Sequence, residues 1–431
     1  MQRSIKSVLI AMSLLLHLTV GATDYAMLES LAKKGILTQA EISEITKESV
    51  RVDCKPLNET RQISFSGRIQ VLYSMVSADD GVASDTVDGI SLRRVYFGTH
   101  AKLSDDWRVS ITSDLLNHTH STHKMVSAYI EKKYDLDFLY GWIKAGFYAD
   151  NFAYESMTSS KNLLTTERSL ASRYFAGSLN EKGKYAYSGY GAINFAGESM
   201  GLFFKGKFRN NEKIEYGCAI TSPETYTIRP PKDGRNIPAF WFNVNYKDNI
   251  NLSDEEFKLH TGIYTGVSPQ GHLEMSHLDK TSRIYGVNPF FDLSNDRITT
   301  WGDILFANVQ NGKANMQDAN LFGANLVAEY KFDTGDIGKI APVMRLSYVN
   351  SDGRGVRISD STRRGPNLYN DFRKYYNEGA GIYLGINWYF PSEPVKLMFG
   401  YERARFWGEV NNNDARSANV DVFRTQLQIE F

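Results

Sequence analysis

Basic residues recur at alternate positions of segments whose remaining positions are apolar. Arg68, Arg94, Lys102, Arg108, Lys144, Lys205, Lys207, Arg345 and Arg424 fall on the polar face of such segments, and Arg209, Lys247, Lys258 and Lys331 share the phase, the first three of these four near segment ends. The acids on the same faces are Asp114, Glu131, Glu215, Glu329 and Glu430. Thirteen cations thus face five carboxylates, in a chain whose 49 basic and 49 acidic residues cancel. The chemistry open to such a face is electrostatic. A charged passage with low-dielectric walls concentrates counter-ions, and rings of Arg or Lys favour anions. Small anions are the expected solutes, provided the phase is right, since a slip of one residue turns a whole strand over.

Other constellations offer less. His118, His120 and His123 are close enough to hold a metal, but they sit in a polar stretch, Asn117 to His123, with no carboxylate to complete the site. No metal and no cofactor is expected. A hydrolase would need a nucleophile, a base and an orienting group on neighbouring elements. His100 and His260 share the polar phase, yet no Gly-x-Ser-x-Gly elbow accompanies them.

The elements that must carry the charged faces are strands, because a side-chain period of two is the strand period. The clearest is the last, where Phe423, Thr425, Leu427, Ile429 and Phe431 alternate with Arg424, Gln426, Gln428 and Glu430. A terminal strand ending on Phe suits the closing strand of an outer-membrane barrel, with the oily face on lipid and the polar face on a watery lumen. Sixteen such segments follow Arg61: Arg61 to Tyr73, Leu92 to Leu103, Trp107 to Asp114, Met125 to Tyr134, Leu139 to Tyr148, Met200 to Arg209, Lys213 to Thr221, Ala239 to Lys247, Glu256 to Gly266, Ser282 to Phe290, Arg297 to Gln310, Leu321 to Phe332, Ala341 to Asn350, Glu378 to Phe390, Val395 to Trp407 and Val420 to Phe431. Their connections alternate short and long, as a barrel with tight periplasmic turns and longer outer loops requires. Tyr185 to Ala196 also alternates, but counting it as a strand breaks that rhythm, so it falls within one long third loop, 149–199. A loop of that length carries function or is disordered. Within it Arg168 and Arg173 are the candidates for a constriction, while Lys161, Arg168, Arg173, Lys182 and Lys184 are matched by Asp150, Glu155, Glu167, Glu181 and Glu198.

The start of the chain places it. Arg3 and Lys6 precede an apolar run, Val8 to Val20, and the small residues Gly21-Ala22, which reads as a signal peptide over 1–22. Losing Arg3 and Lys6 leaves 47 basic and 49 acidic residues, about −2, which speaks against a nucleic-acid binder. No later stretch has 18 uninterrupted apolar residues. Tyr 25, Phe 24 and Trp 6 alongside a mean hydropathy of −0.37 suit a barrel, whose alternation hides its apolar half and whose girdles need aromatics. Residues 23–60 read as a helical periplasmic extension and linker. Thr38 to Glu41 is a capping box, and the segment is too short to fold alone. Cys54 and Cys218 make no disulfide framework, and Cys218 falls on the lipid-facing phase. The fold expected is therefore all-β: a transmembrane antiparallel β-barrel of about 16 strands over 61–431, in the outer membrane of a Gram-negative-type bacterium.

Several segments resemble the phosphate-selective porin O and P family. Ser91-Leu92-Arg93-Arg94-Val95-Tyr96-Phe97-Gly98 with Asp105-Asp106-Trp107 is similar to its arginine-rich second strand and turn. Ala128 to Glu131, Phe152 through Ser169, Gly385 to Phe390, the Pro391 to Pro394 turn, Leu397 to Tyr401 and the leader Lys34 to Thr38 resemble further parts. The resemblance spans nearly the whole chain after residue 22. It implies a trimeric sixteen-stranded channel with its third loop in the lumen, selective for phosphate in the best-known members. Where relatives often carry a lysine after a Gly-x-Phe pattern, this chain has Gly146-Phe147-Tyr148-Ala149. The expected partners are small hydrophilic solutes or inorganic anions, outer-membrane lipid, two further copies in a homotrimer, and the barrel-assembly machinery through the Phe431 strand. A non-selective general porin of the same shape, and more remotely a barrel enzyme, remain as alternatives.

Overall fold

The computed structural model describes residues 61–79, 84–116, 124–149, 152–176, 193, 195, 197–222, 238–269, 283–310, 318–358, 375–391, 393–408, 410 and 417–431. The stretches read above as a signal peptide and a helical extension, together with Cys54 and the histidines of 117–123, lie outside the described residues.

Strands β1 (Gln62–Asp79), β2 (Ser84–Lys102), β3 (Trp107–Asp114), β4 (Lys124–Asp135), β5 (Leu139–Ala149), β6 (Glu198–Phe208), β7 (Asn211–Thr221) and β8 (Ala239–Leu252) form the first half. The second half is β9 (Glu255–Pro269), β10 (Arg283–Ser294), β11 (Ile298–Gln310), β12 (Ala319–Tyr330), β13 (Lys339–Asn350), β14 (Glu378–Tyr389), β15 (Val395–Trp407) and β16 (Ser417–Glu430). Phe332–Asp333 prolongs β12 against β13 beyond an interruption at Lys331. Each strand pairs antiparallel with its neighbours in sequence, and β1 pairs with β16 from Arg68↔Glu430 to Asp79↔Asn419, so the sheet closes. Among the described residues the sixteen expected strands are the sixteen of the barrel, and Val356–Arg357 pairs with Tyr375–Tyr376 outside it. The largest displacement is in the first hairpin, where β1 runs on to Asp79 and β2 begins at Ser84. There the inner face turns apolar at Val76 and Ala78 and the outer face polar at Ser77 and Asp79, so the pattern inverts, while Tyr73–Asp88 and Thr86–Ser77 hydrogen bonds still lace the ladder.

The seam closes on the last residue. Phe431 exchanges backbone hydrogen bonds with Gly67, N–H to O in both directions, at 2.7 and 3.2 Å. Its ring lies where a Cβ on Gly67 would stand, 2.1 Å from the nearest ring carbon, so a side chain there would have to push the ring off the strand.

Outward positions form an apolar belt: Ile111, Ile130, Leu202, Phe242, Ile304, Leu326, Leu346, Leu384 and Leu427 are all exposed. A contiguous apolar surface of this size is untenable in water and natural in lipid. Aromatic rings edge it. At the short-turn end Tyr134 reaches the Tyr216 hydroxyl, and Tyr330 packs on Phe332 and Trp388 on Phe390. At the long-loop end Phe306, Phe322, Tyr348 and Trp407 make a continuous run of ring contacts. Cys218 lies on this outward phase, beside Tyr216 and Ile220, and is a free thiol. No described helix is long and apolar enough to span a membrane; the strands do so. A closed barrel of this kind resists unfolding in cold detergent. Boiled and unboiled samples are expected to migrate differently on a denaturing gel, and identical mobility would contradict the closed seam.

Candidate functional site

The lumen is occupied by the third loop. Its described part, 152–176, carries two short helices, α1 (Tyr154–Met157) and α2 (Leu170–Ala176), and is buried over most of its length. At its start Tyr154 stacks on Phe290 at 4.2 Å, with His260 and Trp301 edge-on, and Phe152 packs against Phe195 and Trp241. Gly286 makes this approach possible, since a Cβ there would meet the Phe195 ring at 2.1 Å. Asn288 accepts the Tyr154 amide through Oδ1 and donates to Asp303 and the Ile304 carbonyl. Further on, α2 packs against β12, β13 and β14.

The middle of the loop is held by its backbone. Lys396 Nζ donates to the carbonyls of Lys161 (3.2 Å) and Leu163 (2.9 Å), Asn387 Nδ2 to Leu164 (2.9 Å) and Gln428 Nε2 to Lys161 (3.3 Å). Lys161 also faces Glu430 at 3.7 Å. Arg345 Nη1 donates to the Thr165 hydroxyl and to the Glu167 carbonyl, while Nη2 reaches Glu402 at 2.7 Å. Glu402 takes Arg424 on its other oxygen at 3.2 Å.

Glu167 is the charged hub. Arg93 clamps both its oxygens through Nε and Nη2, and Arg173 stands 3.7 Å away. Burial alone would raise this carboxyl, but the Arg93 guanidinium, with Arg94 and Arg173 behind it, holds it well below the ordinary value of 4.5. Burial lowers Arg173 to about 10, which leaves it charged at neutral pH. Arg168 turns back onto the loop, donating to the carbonyls of Glu155, Ser156 and Thr158.

The candidate residues therefore separate into two groups. Arg68, Arg94, Arg345 and Arg424 point inward, as their phase requires, but lie buried; Arg94 donates to Gln70 and Arg68 stacks on Tyr96. Arg345 and Arg424 are each 1% exposed, tied to Glu402 rather than presented to water. Arg168 is likewise committed to loop carbonyls, and Arg173 to Glu167. The second group lines the arc from β2 to β8. Lys102 pairs with Asp105 (2.7 Å), and Arg108 and Lys144 share Glu131 (3.7 and 3.4 Å). Lys207 and Lys247 share Glu215 (3.7 and 2.7 Å), which Lys205 also influences. Lys102, Arg108, Lys205, Lys207 and Lys247 are exposed side chains, and Lys144 is partly so. Arg108 lies over Trp142 at 4.1 Å, and Lys144 over Tyr148 at 4.1 Å and Tyr129 at 4.5 Å. A cavity of about 550 Å³, lined by Ser64, His100, Lys102, Arg108, Tyr129 and Glu131, opens on this arc. Arg209 sits at the rim with Asp135. Lys258 is exposed beside the β8–β9 turn, and Lys331 is 3.5 Å from Glu329.

Alternation missed Arg93. The β1–β2 register shifts between Gln70 and Val71, which pair with Arg94 and Leu92, so Arg93 is the extra residue of a bulge. A bulge turns two consecutive side chains to one face, and Arg93 and Arg94 are both buried. The paired arginines were visible in the sequence; the bulge was not. The chemistry of a hydrolase is not assembled at His100, whose two ring nitrogens lie 3.0 and 2.8 Å from the hydroxyls of Ser66 and Ser110, with no carboxylate orienting it. No cluster of His, Cys, Asp and Glu suited to a metal occurs among the described residues.

A closed sixteen-stranded barrel with an apolar outer belt and an inward-folded third loop defines an outer-membrane porin rather than an enzyme. The profile of the phosphate-selective porin O and P family matches residues 63–226. That region holds β1 to β7 and the third loop. No curated protein sequence matches the chain. Among solved structures, the anion-selective porin from Comamonas acidovorans is similar over 86% of this chain and 100% of its own, at 10% identity and a TM-score of 0.54. The outer membrane channel DcaP of Acinetobacter baumannii matches over 87% and 98% at 10% identity and 0.53, and OprB of Pseudomonas putida over 88% and 96% at 12% and 0.51. At these identities the likeness is one of fold.

Proposed function

We propose that this protein is a passive outer-membrane channel for small hydrophilic solutes, biased toward anions, and that its conducting path follows the β2–β8 wall. The observation that carries the reading is the sharing of carboxylates there. Glu131 serves two cations, and Glu215 serves two directly and a third at longer range. The wall keeps a positive surplus after every local pair is formed, and a surplus in a confined passage enriches anions. The buried arginines around Glu167 and Glu402 anchor the loop that narrows the opposite side. Phosphate is among the anions this reading admits, in line with the family's description, and the anion bias itself is in line with the name of the Comamonas porin. A homotrimer, removal of residues 1–22 on export, and delivery of the Phe431 strand to the barrel-assembly machinery belong to the same reading.

The test is a reversal potential across a planar bilayer under a salt gradient. An anion-selective sign is expected. A potential of zero would favour a general diffusion pore, and a cation-selective sign would remove the charge argument altogether.

A further inference from the structure

The outward face of the barrel changes character at one place. Along one cross-strand row the outward residues are Leu346, Ile382, Arg403, Asp421 and Ser77. Arg403 and Arg405 occupy successive outward positions of β15, about 7 Å apart along the strand, and both are exposed. Trp407, the end of the aromatic run at the long-loop end, stands one outward position beyond Arg405. Both guanidiniums therefore lie on the bilayer side of that girdle. Arg403 is 4.0 Å from Asp421, which also takes the Tyr401 hydroxyl. Arg405 has neither a hydrogen bond nor an ion pair among the described residues; Asn419 lies opposite it on one side and Ala380 on the other.

An arginine turned toward lipid is tolerated where its head reaches the interface and meets a phosphate. Below the two arginines the same strands continue as an oily strip: Tyr401, Phe399, Leu384 and Ile386 are all exposed. Cation above and aliphatic strip below match an amphiphile with an anionic head and acyl chains.

We propose that Arg403 and Arg405 dock the phosphate of an anionic glycolipid of the outer leaflet, whose chains lie along β14 and β15. The proposal rests on the outer-membrane reading above. The test uses the full folded barrel in detergent, with bisphosphorylated lipid A as probe and its dephosphorylated form as comparison, read by native mass spectrometry. Arg405→Gln should weaken retention of the phosphorylated probe roughly five-fold, and Arg403→Gln/Arg405→Gln further still. Arg283→Gln, on an outward position of β10, should leave retention unchanged. Gel heat-modifiability and single-channel conductance should be the same in all variants, since none of these residues faces the lumen. Equal retention by wild type and double variant, or equal binding of the dephosphorylated lipid, would overturn the proposal. So would dissociation of oligomers with lipid retention intact, which would give the face to a second copy. Loss of heat-modifiability and conductance in the wild type would instead sink the channel reading itself.

Discussion

Glu167→Gln is expected to release the third loop and raise single-channel conductance roughly two-fold, as the passage widens. The carboxylate is 3% exposed and clamped by Arg93, with Arg173 beside it. Removing one partner of a buried ion pair leaves the other charge uncompensated, at a cost of about 3 to 5 kcal/mol. Glutamine keeps the shape and one acceptor, so the barrel, held by sixteen paired strands, should still close. The Glu167 backbone carbonyl remains available to Arg345, and the Lys396 and Asn387 anchors stay, so the loop should fluctuate between docked and released states. The signature is therefore noisy, multi-level current rather than one wider level. Glu167→Asp, which keeps the charge on a shorter arm, should show less of this. Unchanged conductance in Glu167→Gln, with heat-modifiability confirming the fold, would mean that the loop is held by its aromatic and backbone anchors alone.

The same hub fixes a pH dependence. Glu167 is held below its ordinary value of 4.5 by Arg93. A depressed carboxyl contributes stability that is complete above the unfolded value and is lost as pH falls through the folded one. The wild-type loop should thus stay docked from neutral pH down to 4.5 and loosen only in stronger acid. In Glu167→Gln that acid step should be absent. A wild-type transition centred above 4.5 would assign the switch to some other group.

How much of this was legible depended on which physical signal each feature leaves. The strands were readable because lipid outside and water inside impose a period of two that a signal such as Phe423 to Phe431 cannot hide. The same logic placed Lys144, Lys205, Lys207 and Lys247 on the inner face. It failed at Arg93, because a bulge inserts one residue and breaks the count without any composition cue. It was silent on Lys396, Asn387 and Gln428, whose partners are carbonyls of the loop; every residue has a carbonyl, so the sequence marks none of them. Glu402 has the inward phase between Gly400 and Ala404, yet its weight appears only when strand register sets Arg345 and Arg424 on either side of it. Inward phase told which cations face the lumen but not which of those face water. A loop folded back across half the wall decided that.

The charge of the open arc makes the second large prediction. Around Glu215 three lysines, Lys205, Lys207 and Lys247, leave a local surplus of about +2. Lys205→Glu/Lys207→Glu replaces two positive charges by two negative ones and takes that surplus to about −2. An ideally selective pore would give about 59 mV per tenfold gradient of a monovalent salt, and partial selectivity gives a fraction of this with the same sign. The double variant should move the reversal potential through zero to the cation-selective side. Neutralising the same two lysines with glutamine should stop near zero. Lys213→Gln, which removes a charge already paired with Asp248 at the short-turn end, should leave the potential where it was. Because all three measurements compare one barrel with itself, a shift that follows Lys213 as strongly as Lys205 and Lys207 would place the path elsewhere. A potential that ignores all of them would return selectivity to the arginines beneath the loop, which could act only if the loop undocks during conduction.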